Sequence, residues 1–383
     1  MKIIHTADIH LDAGFAAAGL PASFANRRRQ GLREVFRIIV ARAGEIQADA
    51  FLIAGDLFDL ARVTRDTVAF LQTQFESIPH VPVFIAPGNH DPCMPGSPYL
   101  TEPWPANVHV FKQPEWTSAP APGRRLVVHG FAFDGWDISR NPFGSLAIED
   151  DGAAHVAVAH GSERQHQPPD GQLYAPFDAR AATALRLSYL ALGHFHNATE
   201  IPANGTPMYY SGAPEGHDFS ETGPHYYLEV DLDDDGVRVT RVPSAQIVYE
   251  TRAIDCSSAA SSQDLIDHLR ALARSDVKLA ARVTLCGSCP LSLIGELPAV
   301  KDAVAGDFEY LDLIDSTSPL EDYDELARDT TSLGEFVCRL NQAILDAPDP
   351  ACKAALERAR EVGLAAYRGQ RIGIRGIELG GMA

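Results

Sequence analysis

The chain has 383 residues, 45% of them hydrophobic, and is therefore too long for one ordinary core, since single cores stop growing near about 250–300 residues. No stretch approaches the roughly 18 consecutive apolar residues of a membrane span. The formal net charge of −19 leaves few cations for gripping a phosphate backbone, because that affinity comes from lysine and arginine displacing counterions.

In chain order, residues 2–7 read as a buried strand that delivers Asp8, Ile9 and His10 to a loop, with Asp8 and His10 on one side of it. His5, inside the strand, reads as a core histidine. A helix follows from Asn26, with Leu32, Val35, Phe36, Ile39, Val40 and Ala43 on one face. Its first turns carry Arg27, Arg28 and Arg29, followed by Arg33 and Arg37. This is the one local basic cluster, read either as a solvated helix start or as phosphate contacts. Residues 50–54 form a second strand ending in Gly55-Asp56-Leu57-Phe58-Asp59, then a helix over 65–76. Residues 81–86 form a third, ending in Pro87-Gly88-Asn89-His90-Asp91, where proline and glycine force a turn that exposes the polar triplet.

Residues 92–123 lack periodicity and read as a long loop with a short strand at 108–111. Strands are expected at 125–131 and at 155–159, the latter delivering His160-Gly161. The apolar run 185–192 is stopped by glycine and delivers Gly193-His194-Phe195-His196. Further strands fall at 208–210, 226–230 and 237–242. Beyond Pro243 the pattern becomes a small α+β unit, with strands at 249–255, 282–285 and 308–314 and helices at 262–274 and 298–305. An acidic stretch, 321–329, leads to helices at 333–345 and 351–367. The expected domains are 1–242, 243–320 as a second α+β domain, and 321–383 as helices suited to docking on this protein or on a partner.

Six cysteines dispersed over this length do not form the dense framework of a small secreted domain and read as free thiols. Cys286 and Cys289 have zinc-knuckle spacing but no second pair in the sequence, and read as incidental. With a strand at its very start, the chain is expected to be cytoplasmic, without a signal or transit peptide.

Asp8, His10, Asp56, Asn89, His160, His194 and His196 each follow a strand-like run. Mixed oxygen and nitrogen donors suit manganese, iron or zinc better than calcium. Seven ligands are too many for one ion, and two ions need a bridging carboxylate, for which Asp56 is the natural choice. Such a pair clamps the attacking and leaving oxygens of an in-line displacement and supplies hydroxide near neutral pH, which is phosphoester chemistry. His90 would face the phosphate as the catalytic imidazole, with Asp91 orienting its ring.

Asp8-Ile9-His10, Gly55-Asp56 through Asp59, Gly88-Asn89-His90-Asp91, His160-Gly161 and Gly193-His194-Phe195-His196 together resemble the calcineurin-like metallophosphoesterase superfamily over about residues 1–240. The resemblance implies a four-layer α/β/β/α sandwich. It also implies one metal on Asp8, His10, Asp56 and His196, and another on Asp56, Asn89, His160 and His194. The segments from His5 to Asp12 and from Gly55 to Asp59, with Gly212-Ala213-Pro214-Glu215-Gly216, Phe219 and Glu221, look like the DNA repair exonuclease branch, the SbcD and YhaO group. That similarity implies a manganese-dependent nuclease, with iron or zinc as alternatives. It further implies DNA as substrate, an SbcC-like coiled-coil ATPase as partner, a homodimer, and a capping role for the domain at 243–320. Asp12 stands where SbcD proteins usually carry glycine, which favours the YhaO side. Asp59 stands where some relatives have a catalytic histidine; of two readings, a support behind the site's ligands or an acid of the helix start, the latter is preferred.

Overall fold

The apolar residues of the first three strands alternate between two partners, which is why their sequences read as nearly continuous hydrophobic runs. In β1 (Lys2–Thr6), β2 (Ala50–Ile53) and β3 (Val83–Ile85), one set of side chains (Ile4, Phe51, Ile53, Val83, Ile85) packs on α1 (Ala22–Glu45) and α2 (Arg65–Glu76). The other set (Ile3, Leu52, Phe84) shares a cluster with Val128, Val156, Val158 and Ala191 of a second sheet. The structure, a computed structural model, describes residues 1–15, 21–148, 151–166, 172–202, 205–273, 277–369, 373–374 and 377–378.

The remaining strands of the two sheets are β4 (Val108–Val110), β5 (Thr117–Pro120), β6 (Leu126–Gly130), β7 (Ala154–His160), β8 (Tyr189–Gly193), β9 (Thr199–Ile201), β10 (Met208–Tyr210), β11 (Tyr226–Asp233) and β12 (Gly236–Pro243). One sheet runs β12-β11-β1-β2-β3-β4, with β1 to β4 parallel and β11 antiparallel to β1. The other runs β5-β6-β7-β8-β10-β9, with β6, β7, β8 and β10 parallel. Phe131, Phe133, Phe143 and Phe177 cover the outer face of the second sheet. The layer order is thus the expected α/β/β/α, but its last layer consists of loops and two short helices, Pro142–Ser145 and Ala179–Thr183. β5 lies within the stretch expected to be loop: an edge strand ending at Pro120 needs no alternation, so its pattern is faint.

The chain divides into two compact units. The first comprises Met1–Ala253, Asp267–Thr284 and Lys301–Ile314, and the second Ile254–Ile266, Leu285–Val300 and Asp315–Ala383. The segment 243–320 therefore contributes to both. Its helix Leu291–Val304 begins seven residues before the expected start, with Pro298 inside it and not at its first turn. The helix expected to end at Arg274 is described as Ser262–Ala273, and Arg274 lies outside the described residues. In the second unit, Ser332–Leu345 and Pro350–Tyr367 are capped by Thr331 and Asp349, whose side chains accept from Gly334 and Cys352 amides. Arg360 stacks 3.4 Å from the Tyr323 ring centroid.

Candidate active site

Parallel strands place their carboxyl ends along one edge, and the loops leaving β1, β2, β3, β7 and β8 meet there. Backbone hydrogen bonds join the first two loops: Asp8 N–H donates to Gly55 O at 3.0 Å and His10 N–H to Asp56 O at 2.9 Å. The main chain is strained where the side chains converge. Asp8, His10, Asp56 and His194 have φ of 53, 49, 52 and 112°, in or near the left-handed region that costs a non-glycine residue roughly 1–3 kcal/mol. Strain at these positions over-determines side-chain direction and marks a functional locus.

All seven expected ligands lie in this locus. Asp8, His10 and His196 form one group whose donor atoms lie within 4.8 Å of one another, and Asp8, Asp56 and His160 form another. Asp56 faces both, its Oδ2 standing 3.6 Å from His10 Nε2 and 3.4 Å from His160 Nε2. Burial pushes the Asp56 carboxyl up, but the imidazoles of His160, His10 and His90 outweigh it and hold the group below its ordinary value. Asp8 accepts from the His194 amide at 3.1 and 3.0 Å, tying the first loop to the last.

The donor chemistry fits a cation. His160 Nδ1–H donates to Ala54 O at 2.9 Å, so in the neutral ring Nε2 carries a lone pair, and it faces Asn89 Oδ1 at 2.9 Å. Acceptors converging without a proton between them are stabilised by a positive ion. His10 Nε2 is buried and has no hydrogen-bond partner among the described residues. Glycine makes the close approach possible: a Cβ on Gly88 would fall 2.4 Å from Asp56 Oδ1, and one on Gly55 would fall 2.5 Å from His160 Nδ1. Burial lowers His194 to about 3, leaving it a neutral nitrogen donor.

Two carboxylates hold the outer nitrogens of the histidines. Asp59 Oδ1 accepts from His10 Nδ1 at 2.9 Å, and Glu221 Oε1 from His196 Nδ1 at 2.6 Å, so each ring turns Nε2 inward. Glu221 Oε2 is itself clamped by the amide and ring Nδ1 of His217 at 2.9 and 3.0 Å. This corrects the reading of Asp59 as a helix-start acid: Thr64 caps α2, and Asp59 is turned into the site. The clue in the sequence is its position three residues after Asp56. Glu221 stands out in the sequence only as part of a family-like segment, and His217 not at all.

His90 is half exposed, its ring edge-on to His10 with centroids 4.7 Å apart and its Nδ1 3.4 Å from Asp59 Oδ1. The hydrogen bond to Asp59 raises it to about 9, against the opposing effect of burial. Asp91 does not orient this ring. Its fully buried carboxylate accepts from the amides of Asp56, Leu57 and Gly88 and from Tyr99 Oη, at 3.0, 2.8, 2.6 and 2.8 Å, and so fastens two loops together. Burial and the nearby Asp56 push Asp91 up to about 6.

The arginine cluster is also reassigned. Arg28 is fully buried and donates to Glu215 Oε1 at 2.5 Å and Gly216 O at 2.7 Å. Arg27 pairs with Glu309, and Arg29 bonds only Asn26 in its own helix. Of the three, Arg27 is exposed, Arg28 buried and Arg29 half-buried, because a helix turns successive side chains about 100° apart and directs the middle one inward; Arg29 alone has no carboxylate partner among the described residues. Asp12 has φ 67°, a conformation that glycine adopts without cost, and its carboxylate is tied to the Thr64 amide at 3.1 Å and Thr67 Oγ1 at 2.5 Å.

This strained, carboxylate-braced cluster of histidines and aspartates at the edge of a double sheet defines a metallophosphoesterase site. The chain belongs to the calcineurin-like phosphoesterase family, whose model matches residues 1–198, and it is a hydrolase of phosphoesters. It is 27% identical over 303 residues to the "Uncharacterized metallophosphoesterase YhaO" of Bacillus subtilis, covering 76% of this chain and 72% of that one. It is 26% identical over 263 residues to a component of the nuclease SbcCD of the same organism, covering 58% of this chain and 64% of that one. A dimetal phosphatase from Danio rerio superimposes with a TM-score of 0.41 at 12% identity, over 64% of this chain and 96% of that one. Among the described residues, no helix is long and apolar enough to cross a membrane.

Proposed function

We propose that the chain is a two-metal phosphodiesterase acting on DNA, with Asp8, His10, Asp56 and His196 holding one ion and Asp56, Asn89, His160 and His194 the other. The observation that carries this reading is the position of Asp56, one carboxylate oxygen of which lies between His10 Nε2 and His160 Nε2 at 3.6 and 3.4 Å. When bound, divalent ions supply Lewis acidity and lower the pKa of water so that hydroxide is available near neutral pH. Asp59 and Glu221 keep His10 and His196 in the tautomer that offers Nε2. His90, held protonated by Asp59, lines a cavity shared with His10 and His196, where it would neutralise charge developing on phosphate and give a proton to the leaving oxygen. Manganese suits this mixed nitrogen and oxygen set, as do iron and zinc.

Likeness to a nuclease component supports DNA as substrate. The resemblance of the motif segments to the SbcD and YhaO group is the ground for a coiled-coil ATPase partner docked on the helices within 321–383, a cap over 243–320, homodimerisation and a cytoplasmic setting. A second reading, hydrolysis of small phosphodiesters, is favoured by the charge of −19 and by the capture of Arg27 and Arg28 in ion pairs. The deciding experiment compares oligonucleotide DNA with bis-p-nitrophenyl phosphate, with and without manganese, in wild type and Asp56→Ala. The DNA reading requires manganese-dependent cleavage of the oligonucleotide. Hydrolysis of the small ester alone leaves the second reading, and an Asp56→Ala protein that keeps either ion at full occupancy refutes the bridge.

A further inference from the structure

At the edge of the second sheet, well apart in sequence from the metal-binding loops, four side chains form one hydrogen-bonded line. Ser118 Oγ lies 2.8 Å from His129 Nδ1, His129 Nε2 lies 2.9 Å from His155 Nδ1, and His155 Nε2 lies 2.9 Å from Asp151 Oδ1. An ionised carboxylate only accepts, and this sets every tautomer in the chain. His155 donates Nε2–H to Asp151 and accepts at Nδ1; His129 donates Nε2–H to His155 and accepts at Nδ1; the Ser118 hydroxyl donates to His129. The two imidazoles are buried, at 3% and 8% exposure, while Ser118 at one end and Asp151 at the other reach solvent. Burial first, and the neighbouring His155 second, lower His129 to about 4, so at neutral pH the ring is uncharged and its Nδ1 is free of a proton.

The strand register explains how the line forms. Ser118 of β5 is paired with His129 of β6. Ala121 N–H donates to Leu126 O at 2.9 Å, so the hydrogen-bonded pairs of this antiparallel ladder are the alternate ones. Ser118 and His129 form a non-hydrogen-bonded pair, in which side chains approach most closely. Because β5 is the outermost strand, this parity also turns the Ser118 amide towards the open edge. Ser118 lines a cavity of about 610 Å³ whose walls are largely apolar, formed by Pro82, Phe84, Val108 and Pro120, with His109 beside them. A volume of this size lies in the range of small-molecule sites.

We propose that Ser118 is the nucleophile of a second, metal-independent site that hydrolyses carboxylic esters with a short apolar acyl group. His129 is its general base, and His155 with Asp151 position that base. Ser118 Oγ attacks the carbonyl carbon while its proton passes to His129 Nδ1. The tetrahedral adduct expels the alcohol, which leaves with that proton, and water then repeats the transfer on the acyl-serine to release the acid. Nucleophile and base within hydrogen-bond reach, with the base oriented by a further group, is the arrangement that such catalysis needs.

The test is hydrolysis of 4-nitrophenyl butyrate by the full chain in excess chelator, together with labelling by a fluorophosphonate that bonds serine oxygen as fluoride departs. Turnover without metal is expected, with loss of about 100-fold in Ser118→Ala. Peptide mapping is expected to place the adduct on Ser118, and labelling should disappear in His129→Gln that retains native near-ultraviolet circular dichroism. Ser118→Ala should keep its manganese-dependent phosphodiesterase rate, since it touches no residue of that site. A Ser118→Ala protein that hydrolyses the ester at the wild-type rate, or a map with Ser118 unlabelled, overturns the proposal.

Discussion

Arg28→Met separates a structural arginine from a substrate-binding one. Arg28 and Glu215 both have 0% side-chain exposure, and the guanidinium also lies 5.4 and 5.7 Å from the ring centroids of Tyr249 and Phe15. Glu215 accepts in addition from the amides of Gln246 and Ile247, at 2.6 and 3.2 Å, so its carboxylate stays anchored in the buried site when its partner is removed. Breaking one side of a buried pair leaves an uncompensated charge and costs about 3–5 kcal/mol. In a unit of this size that is roughly 6–10 °C of melting temperature, at about 2 °C per kcal/mol. Urea denaturation of Arg28→Met, of Glu215→Gln and of the double variant measures it, and the double should lose at least about 1 kcal/mol less than the sum of the singles. DNA affinity per folded molecule should be unchanged in Arg28→Met. A single variant that loses DNA affinity while unfolding at the wild-type urea midpoint would refute the argument.

His90→Ala should keep both proposed ions by elemental analysis yet lose about 10²–10⁴ in kcat, because His90 is proposed to act on substrate and is not one of the seven proposed ligands; equal loss of metal would sink that role. Glu221→Gln should weaken manganese by about 10–100-fold at the site proposed to include His196, read by titration calorimetry as one weakened and one unchanged site, whereas two unchanged sites would contradict it. His5 is held by Tyr189 Oη at 2.9 Å and Leu192 O at 3.2 Å, and burial lowers it from 6.5 to about 3. Since its folded value lies below its unfolded one, its stabilisation is complete above pH 6.5 and falls, by up to about 1.4 kcal/mol per pH unit, as pH drops towards 3. His5→Gln in chelator should show a shallower loss of stability between pH 6 and 4 than wild type, and parallel curves would refute the assignment.

The parts of the site that follow from local chain chemistry are legible in the sequence. A buried parallel strand must be apolar on both faces, so the first polar residues after it mark the sheet edge, and Asp8, Asp56, Asn89, His160 and His194 all announce themselves in this way. What stays hidden depends on partners distant in the chain. Asp91 is adjacent to His90 and reads as its partner, yet successive side chains diverge at a turn, and four donors, from Asp56, Leu57, Gly88 and Tyr99, claim its carboxylate. Asp59 resembles a helix-start acid because three residues of spacing also suit a first turn. The choice is made by His10, 49 residues away, whose Nδ1–H donates to it. Arg28 shows the same limit: one position in a run of three arginines turns inward, and only Glu215, 187 residues later, decides that it can be buried at all. Spacing therefore reveals which atoms a strand end can present. Which carboxylate holds them there is settled by the long-range folding that brings Asp59 to His10 and Glu221 to His196.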